Sequence, residues 1–184
     1  MLGIINLPAF IAAGILLNLT PGADTMYILG RSMSQGRKAG IYSALGISTG
    51  VIVHINLAAF GLSLIIAKST FAFDLIKYAG AFYLAYLGIK MLIKKPVPNE
   101  LIIGNKASMR GVFLSGVLTN VLNPKVSLFF LVFLPQFVEP ANASDPLPFL
   151  ILGLIVTTSG TIWCLILAVF SSTIFNRIRN NTSS

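Results

Sequence analysis

Long apolar segments alternate with shorter polar connectors along this chain. The apolar segments cover about 2–29, 40–67, 74–93, 111–134 and 149–170. The connectors are 31–38, 68–73, 94–110 and 135–148. Each apolar segment reaches the length of about 20 residues that an α-helix needs to cross the hydrocarbon core of a bilayer. The pattern therefore predicts an all-α integral membrane protein with five transmembrane helices.

Two of the apolar segments are interrupted by a polar residue followed by proline. The first segment contains Thr20-Pro21-Gly22 and the fourth contains Asn123-Pro124-Lys125. Proline removes a backbone donor, so a helix breaks inside a membrane only where protein, water or a ligand satisfies the freed carbonyls. Thr20 is expected to cap a second half-helix that begins at Pro21, because a hydroxyl residue before proline is typical of a helix start.

The two breaks occupy corresponding positions, three segments apart. Broken helices at matching positions indicate a transporter built from inverted repeats, with its site between the breaks, although two kinked helices can also look alike by chance. We expect one membrane domain, 1–184, with a first three-helix repeat over 1–93 and a cytoplasmic linker over 94–110. The second repeat, 111–184, lacks a sixth apolar segment, so it is expected to be naturally incomplete or truncated.

A face of small residues marks the second apolar segment. Gly40, Ser43, Gly46 and Gly50 recur at spacings of three, four and six, which places several of them on one side of a helix. Small side chains let the backbone of another helix approach closely in a membrane. The second segment is therefore predicted to pack tightly against a neighbouring helix.

Composition and charge support a membrane protein and exclude several other classes. Of the 184 residues, 55% are hydrophobic and 10% are charged, and the mean hydropathy is +0.87, which leaves too little polar surface for a soluble globule. The net charge of +8 lies mostly in the first and third connectors and the tail, so these are predicted to be cytoplasmic and the N-terminus outside. Nucleic-acid binding is not expected. One cysteine and one histidine provide no metal centre, cofactor site or catalytic constellation, so no enzyme is expected.

Charged and amide side chains near the breaks are the candidates for binding and coupling. If the breaks face each other, Asp24 and Lys125 place opposite charges at one zwitterion site; alternatively each extends to water. His54, in the middle of the second segment, could relay protons or simply bond a neighbouring helix. The predicted substrate-binding residues are Asn18, Thr20, Pro21, Gly22, Asp24, Asn120, Asn123, Pro124 and Lys125. The predicted proton-coupling residues are Asp24 and His54.

An ordered set of short segments carries a family resemblance. The segments are Thr20-Pro21-Gly22-Ala23-Asp24, the glycines 36, 40, 46 and 50 with His54 and Gly61-Leu62, the stretch 77–88, Phe113 to Gly116, Asn120, Asn123-Pro124-Lys125 and the stretch 133–137. Together they resemble the LysE/RhtB (lysine exporter / homoserine-threonine resistance) family. The resemblance implies a multi-pass protein of the bacterial cytoplasmic membrane. Such a protein exports amino acids or close derivatives, such as threonine, homoserine, leucine or lysine, and is driven by the proton-motive force.

The sequence leaves other functions open. A cation exporter would use Asp24 and the asparagines as oxygen ligands, although one acidic residue is few for a divalent ion. A non-transporting membrane scaffold or a truncated fragment is favoured by the missing sixth segment. The expected partners are an amino-acid substrate, protons and the lipid bilayer, with a homo-oligomer among the options. The identity of the amino acid is not determined by these patterns.

Overall fold

The computed structural model describes residues 3–62 and 107–181, with side chains up to residue 173, and seven positions between these ranges. The seven positions are 71, 75, 78, 79, 82, 86 and 89. Within this part of the chain the structure is helical, and the one pairing of extended residues is an isolated antiparallel bridge between Ile4 and Val138. Most of the predicted third apolar segment, 74–93, and most of the linker over 94–110 lie outside the described residues.

The helices of the described ranges follow the predicted apolar segments. They are α1 (Leu7–Leu19), α2 (Ala23–Gln35), α3 (Arg37–Asn56), α4 (Met109–Val121), α5 (Pro124–Leu128) and α6 (Pro146–Asn181). π-Helical turns extend α3 over Leu57–Leu62 and α5 over Phe129–Phe133, and 3-10 turns follow over Leu134–Phe137 and Pro140–Asn142. By length and composition these ranges hold two to four membrane spans. A multi-pass helical membrane protein is therefore confirmed, while the count of five helices and the inverted repeat stay predictions.

Both predicted breaks are present, with similar bends. α1 meets α2 at 46°, and α4 meets α5 with its extension at 48°. At the second break the side-chain oxygen of Asn123 accepts a hydrogen bond from the Lys125 backbone N–H at 3.0 Å, and Pro124 is the first helical residue. The second break therefore has the capped helix start that asparagine before proline favours.

The predicted cap at Thr20 is wrong. Thr20 ends α1, and its hydroxyl donates to the Leu16 carbonyl at 2.6 Å. Gly22 is extended, so α2 begins only at Ala23, and no side chain caps it. A threonine hydroxyl can bond the carbonyl four residues earlier as readily as it caps a following helix. Here Pro21 and Gly22 separate Thr20 from the first residue of α2, so Thr20 is not at the position from which a hydroxyl caps a helix.

Lys125 connects the two breaks. Pro21 has no N–H, so the carbonyl of Leu17 lacks its helical partner. The Lys125 Nζ donates to the carbonyls of Leu17 and Thr20, at 2.7 Å each. Hydrogen bonds from an ammonium are stronger than neutral ones, and a positive charge stabilises the C-terminal end of a helix dipole. The side chain of Lys125, at the second break, therefore caps the C-terminal end of α1, at the first break.

The small-residue face of α3 packs against α4. A Cβ added at Gly46 would meet the backbone carbonyl oxygen of Phe113, and one added at Gly50 would lie 2.7 Å from the Cβ of Asn120. At both positions of α3 the neighbouring atoms lie too close to leave space for a side chain. The predicted close approach of another helix is confirmed for Gly46 and Gly50.

The N-terminal residues pair with the connector that follows α5. The backbone N–H of Ile5 donates to the Phe137 carbonyl at 2.9 Å, and the N–H of Glu139 donates to the Gly3 carbonyl at 2.7 Å. These bonds place the N-terminus and this connector on the same side of the bundle. Such a placement is compatible with the predicted topology, in which both lie outside.

An aromatic core holds α1 against the second half of the chain. Phe10 is fully buried, and its ring centroid lies 5.2 Å from that of Phe137 and 5.9 Å from that of Phe129. Tilted and edge-on ring pairs at these distances add to the stability that burial provides. The first break is therefore fixed to the second half by packing as well as by Lys125.

We expect Gly46→Ala to lower the thermal unfolding temperature of the purified protein in detergent. The added methyl group would meet backbone atoms of α4, and overpacking of this kind costs about 1–3 kcal/mol. Gly30→Ala is the matched control, because no described atom lies within 4 Å of a Cβ added there and alanine favours a helix. Equal unfolding temperatures for the two variants would contradict the close contact between α3 and α4.

We expect Lys125→Met to destabilise the protein by about 1–3 kcal/mol, because it leaves two partly buried carbonyl acceptors without their donor. Methionine keeps an unbranched apolar stem but cannot donate to the carbonyls of Leu17 and Thr20. Thermal unfolding in detergent measures the loss. Lys38→Met, on the exposed first turn of α3, is the control and should unfold like the unaltered protein. The bridge between the breaks is contradicted if Lys125→Met also unfolds at the unaltered temperature.

Candidate functional site

A cavity of about 60 Å³ lies between the two breaks, α3 and α6. Of the nine predicted substrate-binding residues, the structure brings six to its wall: Asn18, Gly22, Asp24, Asn120, Asn123 and Lys125. Thr20, Pro21 and Pro124 do not line it. The two prolines set the breaks, and Thr20 contributes a carbonyl to Lys125. The predicted set therefore divides into residues that face the cavity and residues that shape its walls.

Asp24 is the acidic residue of the cavity wall. It lies in the first turn of α2, where the helix dipole stabilises a negative charge. Its Oδ2 accepts a hydrogen bond from the Nδ2 of Asn120 at 2.8 Å, while its Oδ1 is buried and has no partner. One carboxylate oxygen is thus held in place by α4 and the other is free to bind a ligand.

Four buried polar atoms on the cavity-lining residues lack a hydrogen-bond partner in the described structure. They are Asp24 Oδ1, Asn120 Oδ1, Asn123 Nδ2 and Trp163 Nε1. The amide orientations are fixed, because Asn120 uses its nitrogen on Asp24 and Asn123 uses its oxygen to cap α5. Two of the free atoms are acceptors and two are donors. Buried polar atoms without partners are rare in folded proteins, so this group points to a polar ligand or water.

Lys125 shares the cavity with Asp24 but does not contact it. Both residues are described, and no ion pair within 4.0 Å joins them. An ammonium has three N–H donors, and two of them are used on the carbonyls of Leu17 and Thr20. The third N–H of Lys125 and the Oδ1 of Asp24 are therefore available to a ligand that carries both a negative and a positive charge.

His54 lies behind the cavity wall and does not line it. The side chain is 4% exposed, its Nε2 lies 3.1 Å from the backbone oxygen of Asn120, and its ring stacks on Phe130. Because a carbonyl oxygen can only accept, Nε2 is the donor of this bond. Asn120 thus contacts His54 through its backbone and Asp24 through its side chain. His54 therefore does bond a neighbouring helix, α4, and its role as a proton relay stays a prediction.

α6 supplies part of the site that the sequence did not identify. Asn18 donates to the Ser159 hydroxyl at 3.2 Å, and the hydroxyls of Ser48 and Thr161 lie 2.7 Å apart. Trp163 completes this side of the cavity. A cluster of hydroxyl residues inside the fifth apolar segment is the signal that marks this region, since polar groups in a membrane span usually face the interior of the bundle.

Comparison with known proteins places the chain in a family. The family model of LysE type translocators matches residues 15–184. The uncharacterized membrane protein YrhP of Bacillus subtilis is 35% identical over 171 residues, which cover 88% of this chain and 81% of the relative. An uncharacterized membrane protein of Vibrio cholerae is 30% identical over 150 residues, covering 82% of this chain and 73% of the relative.

A third relative has a name that states an activity. The leucine efflux protein of Salmonella choleraesuis is 30% identical over 156 residues, covering 82% of this chain and 72% of the relative. No solved structure matches the chain. The residues matched by the family model include both helix breaks and every residue of the cavity wall. A family of translocators is consistent with the expectation that the protein is not an enzyme. The resemblance seen in the sequence is confirmed, and the chain belongs to the LysE type translocator family.

Proposed function

We propose that this protein is a secondary transporter that exports amino acids or close derivatives across the bacterial cytoplasmic membrane. The observation that carries the proposal is the convergence of Asp24, Lys125 and the unpartnered amide atoms on one cavity between two helix breaks. Family membership supports translocation, and the relative named a leucine efflux protein supports an amino-acid substrate. The proposed orientation has the N-terminus outside and the first and third connectors in the cytoplasm.

In the proposed complex a zwitterionic substrate lies between the two charged residues. Its ammonium donates to the free oxygens of Asp24 and Asn120, and its carboxylate accepts from the third N–H of Lys125 and from Asn123 Nδ2. A charge near the centre of a bilayer costs about 3 kcal/mol or more, so each site charge is stabilised by the opposite charge of the substrate. The zwitterion is neutral overall, which keeps the net charge of the cavity unchanged on binding.

Competition at Asp24 supplies the coupling to protons. The substrate ammonium and a proton both need the same carboxylate, so the two occupy Asp24 in turn. Substrate would bind from the cytoplasm to ionised Asp24 and leave outside, where a proton takes its place and is carried inward. His54 stays the candidate for a proton relay, because it bonds the backbone of Asn120, whose side chain holds Asp24. Transfer between His54 and Asp24 needs a bridging water, since neither the carbonyl nor the amide of Asn120 passes a proton on.

The other functions that the sequence left open receive less support from this geometry. A cation exporter would place its cargo beside the Lys125 ammonium, which lines the same cavity and repels a cation. A scaffold has no need of buried polar atoms without partners, since each one costs about 1–3 kcal/mol of stability. Both arguments favour a zwitterionic ligand over the alternatives.

We expect Asp24→Asn to abolish proton-coupled export while the protein still reaches the membrane. Asparagine has nearly the same shape but carries no charge for the ammonium and takes up no proton. Losing a charged partner of this kind costs about 1.5–3 kcal/mol, so total export falls roughly tenfold to hundredfold, and the export that remains no longer responds to a protonophore. The loss of export is measured as efflux of preloaded radiolabelled leucine, threonine and lysine from proteoliposomes, with and without a protonophore.

Asp145→Asn is the matched control for this experiment. Asp145 is exposed in the connector before α6, and asparagine keeps an oxygen that can accept from the Leu147 N–H, as Asp145 does at 2.9 Å. This variant should export like the unaltered protein. Export by Asp24→Asn at the unaltered rate, still sensitive to the protonophore, would contradict the role of Asp24.

A further inference from the structure

Trp163 carries a buried donor that the bundle leaves unused. The indole N–H can only donate, and a buried tryptophan usually finds an acceptor for it. The Nε1 of Trp163 is buried, has no hydrogen-bond partner and belongs to a residue that lines the cavity. Trp163 is the one tryptophan of the chain, and nothing in its packing accounts for the missing acceptor. The acceptor is therefore expected to come from a ligand.

The other surroundings of Trp163 provide no partner for this N–H. Trp163 also lines a neighbouring groove of about 170 Å³. The apolar walls of that groove are Ile15, Leu19, Ile162 and Ile166. Its remaining polar side chains are Ser159 and Asn18; Asn18 donates to Ser159 at 3.2 Å, and neither residue forms a hydrogen bond with Trp163 Nε1. The acceptor is therefore expected on the cavity side of the indole.

A second unused donor lines the same cavity. Asn123 is 4% exposed, and its oxygen is committed to the cap of α5, so its Nδ2 remains as a donor. Trp163 Nε1, Asn123 Nδ2 and the third N–H of Lys125 are therefore three groups of the cavity wall that can donate to one ligand. An ionised carboxylate has two oxygens with about four acceptor sites and can take all three bonds.

We propose that Trp163 binds the substrate carboxylate through its indole N–H, together with Asn123, and thereby selects substrates that carry a free carboxylate. The inference rests on the proposed function and extends it, because it assigns a substrate-contacting residue to the last helix. α6 then takes part in recognition as well as in packing.

Two variants each remove one hydrogen-bond donor and keep most of the packing of the cavity wall. Trp163→Phe keeps an aromatic ring and removes the N–H. Asn123→Ser keeps an oxygen that can cap α5, removes the amide donor and adds no charge. Equilibrium binding is measured with the full chain in nanodiscs, using leucine, threonine and lysine, each beside its carboxamide, which keeps the ammonium and lacks the carboxylate. We expect each variant to weaken binding of the amino acid about tenfold and to change carboxamide binding by less than about twofold.

The controls and outcomes distinguish this inference from the proposed function. Tyr27→Phe removes an aromatic donor that serves the Val112 carbonyl at 2.7 Å, outside the cavity wall, and should leave both affinities unchanged. Unchanged amino-acid binding by Trp163→Phe, or equal weakening of amino acid and carboxamide, overturns the inference and leaves the proposed function standing. If the unaltered protein binds none of the three amino acids, the proposed function fails, and the inference fails with it.

Discussion

A backbone carbonyl in the hydrocarbon of a bilayer must find a donor, and the break at Pro21 removes one. The ammonium of Lys125 fills that need by donating to Leu17 and Thr20 at 2.7 Å each. Because Lys125 itself follows a second break, at Pro124, the bond draws the two interrupted helices to one place. Together with the aromatic core around Phe10, that connection holds Asp24 and Lys125 on the wall of one cavity.

The polar groups near this connection form a short series of contacts across α4. Asn120 donates to Asp24 through its side chain and accepts from His54 through its backbone. Gly50 of α3 allows this approach, because any larger residue would meet Asn120. The fold thus uses small residues to bring a carboxylate, an amide and an imidazole together in an apolar bundle. Substrate binding and proton transfer would then involve neighbouring groups.

The residue types that are unusual in a membrane span made much of this site predictable. Proline within an apolar segment breaks a helix wherever it occurs, and a charge at that depth must face protein or a cavity, so Pro21, Asp24 and Lys125 stood out. The prediction for Thr20 was wrong, because a hydroxyl can bond backward or forward along the chain. Trp163 was missed because its free N–H is visible only once the surrounding helices are in place.

The claim that both breaks form one binding site has a direct test in hydrogen–deuterium exchange. Exchange is measured on the purified protein at increasing concentrations of leucine, threonine or lysine. Amides over 17–26 and 120–128 should gain protection together, at the same ligand concentration, since one ligand contacts both segments. Protection confined to one break, or no protection at either break at a concentration that saturates transport, would contradict a shared site.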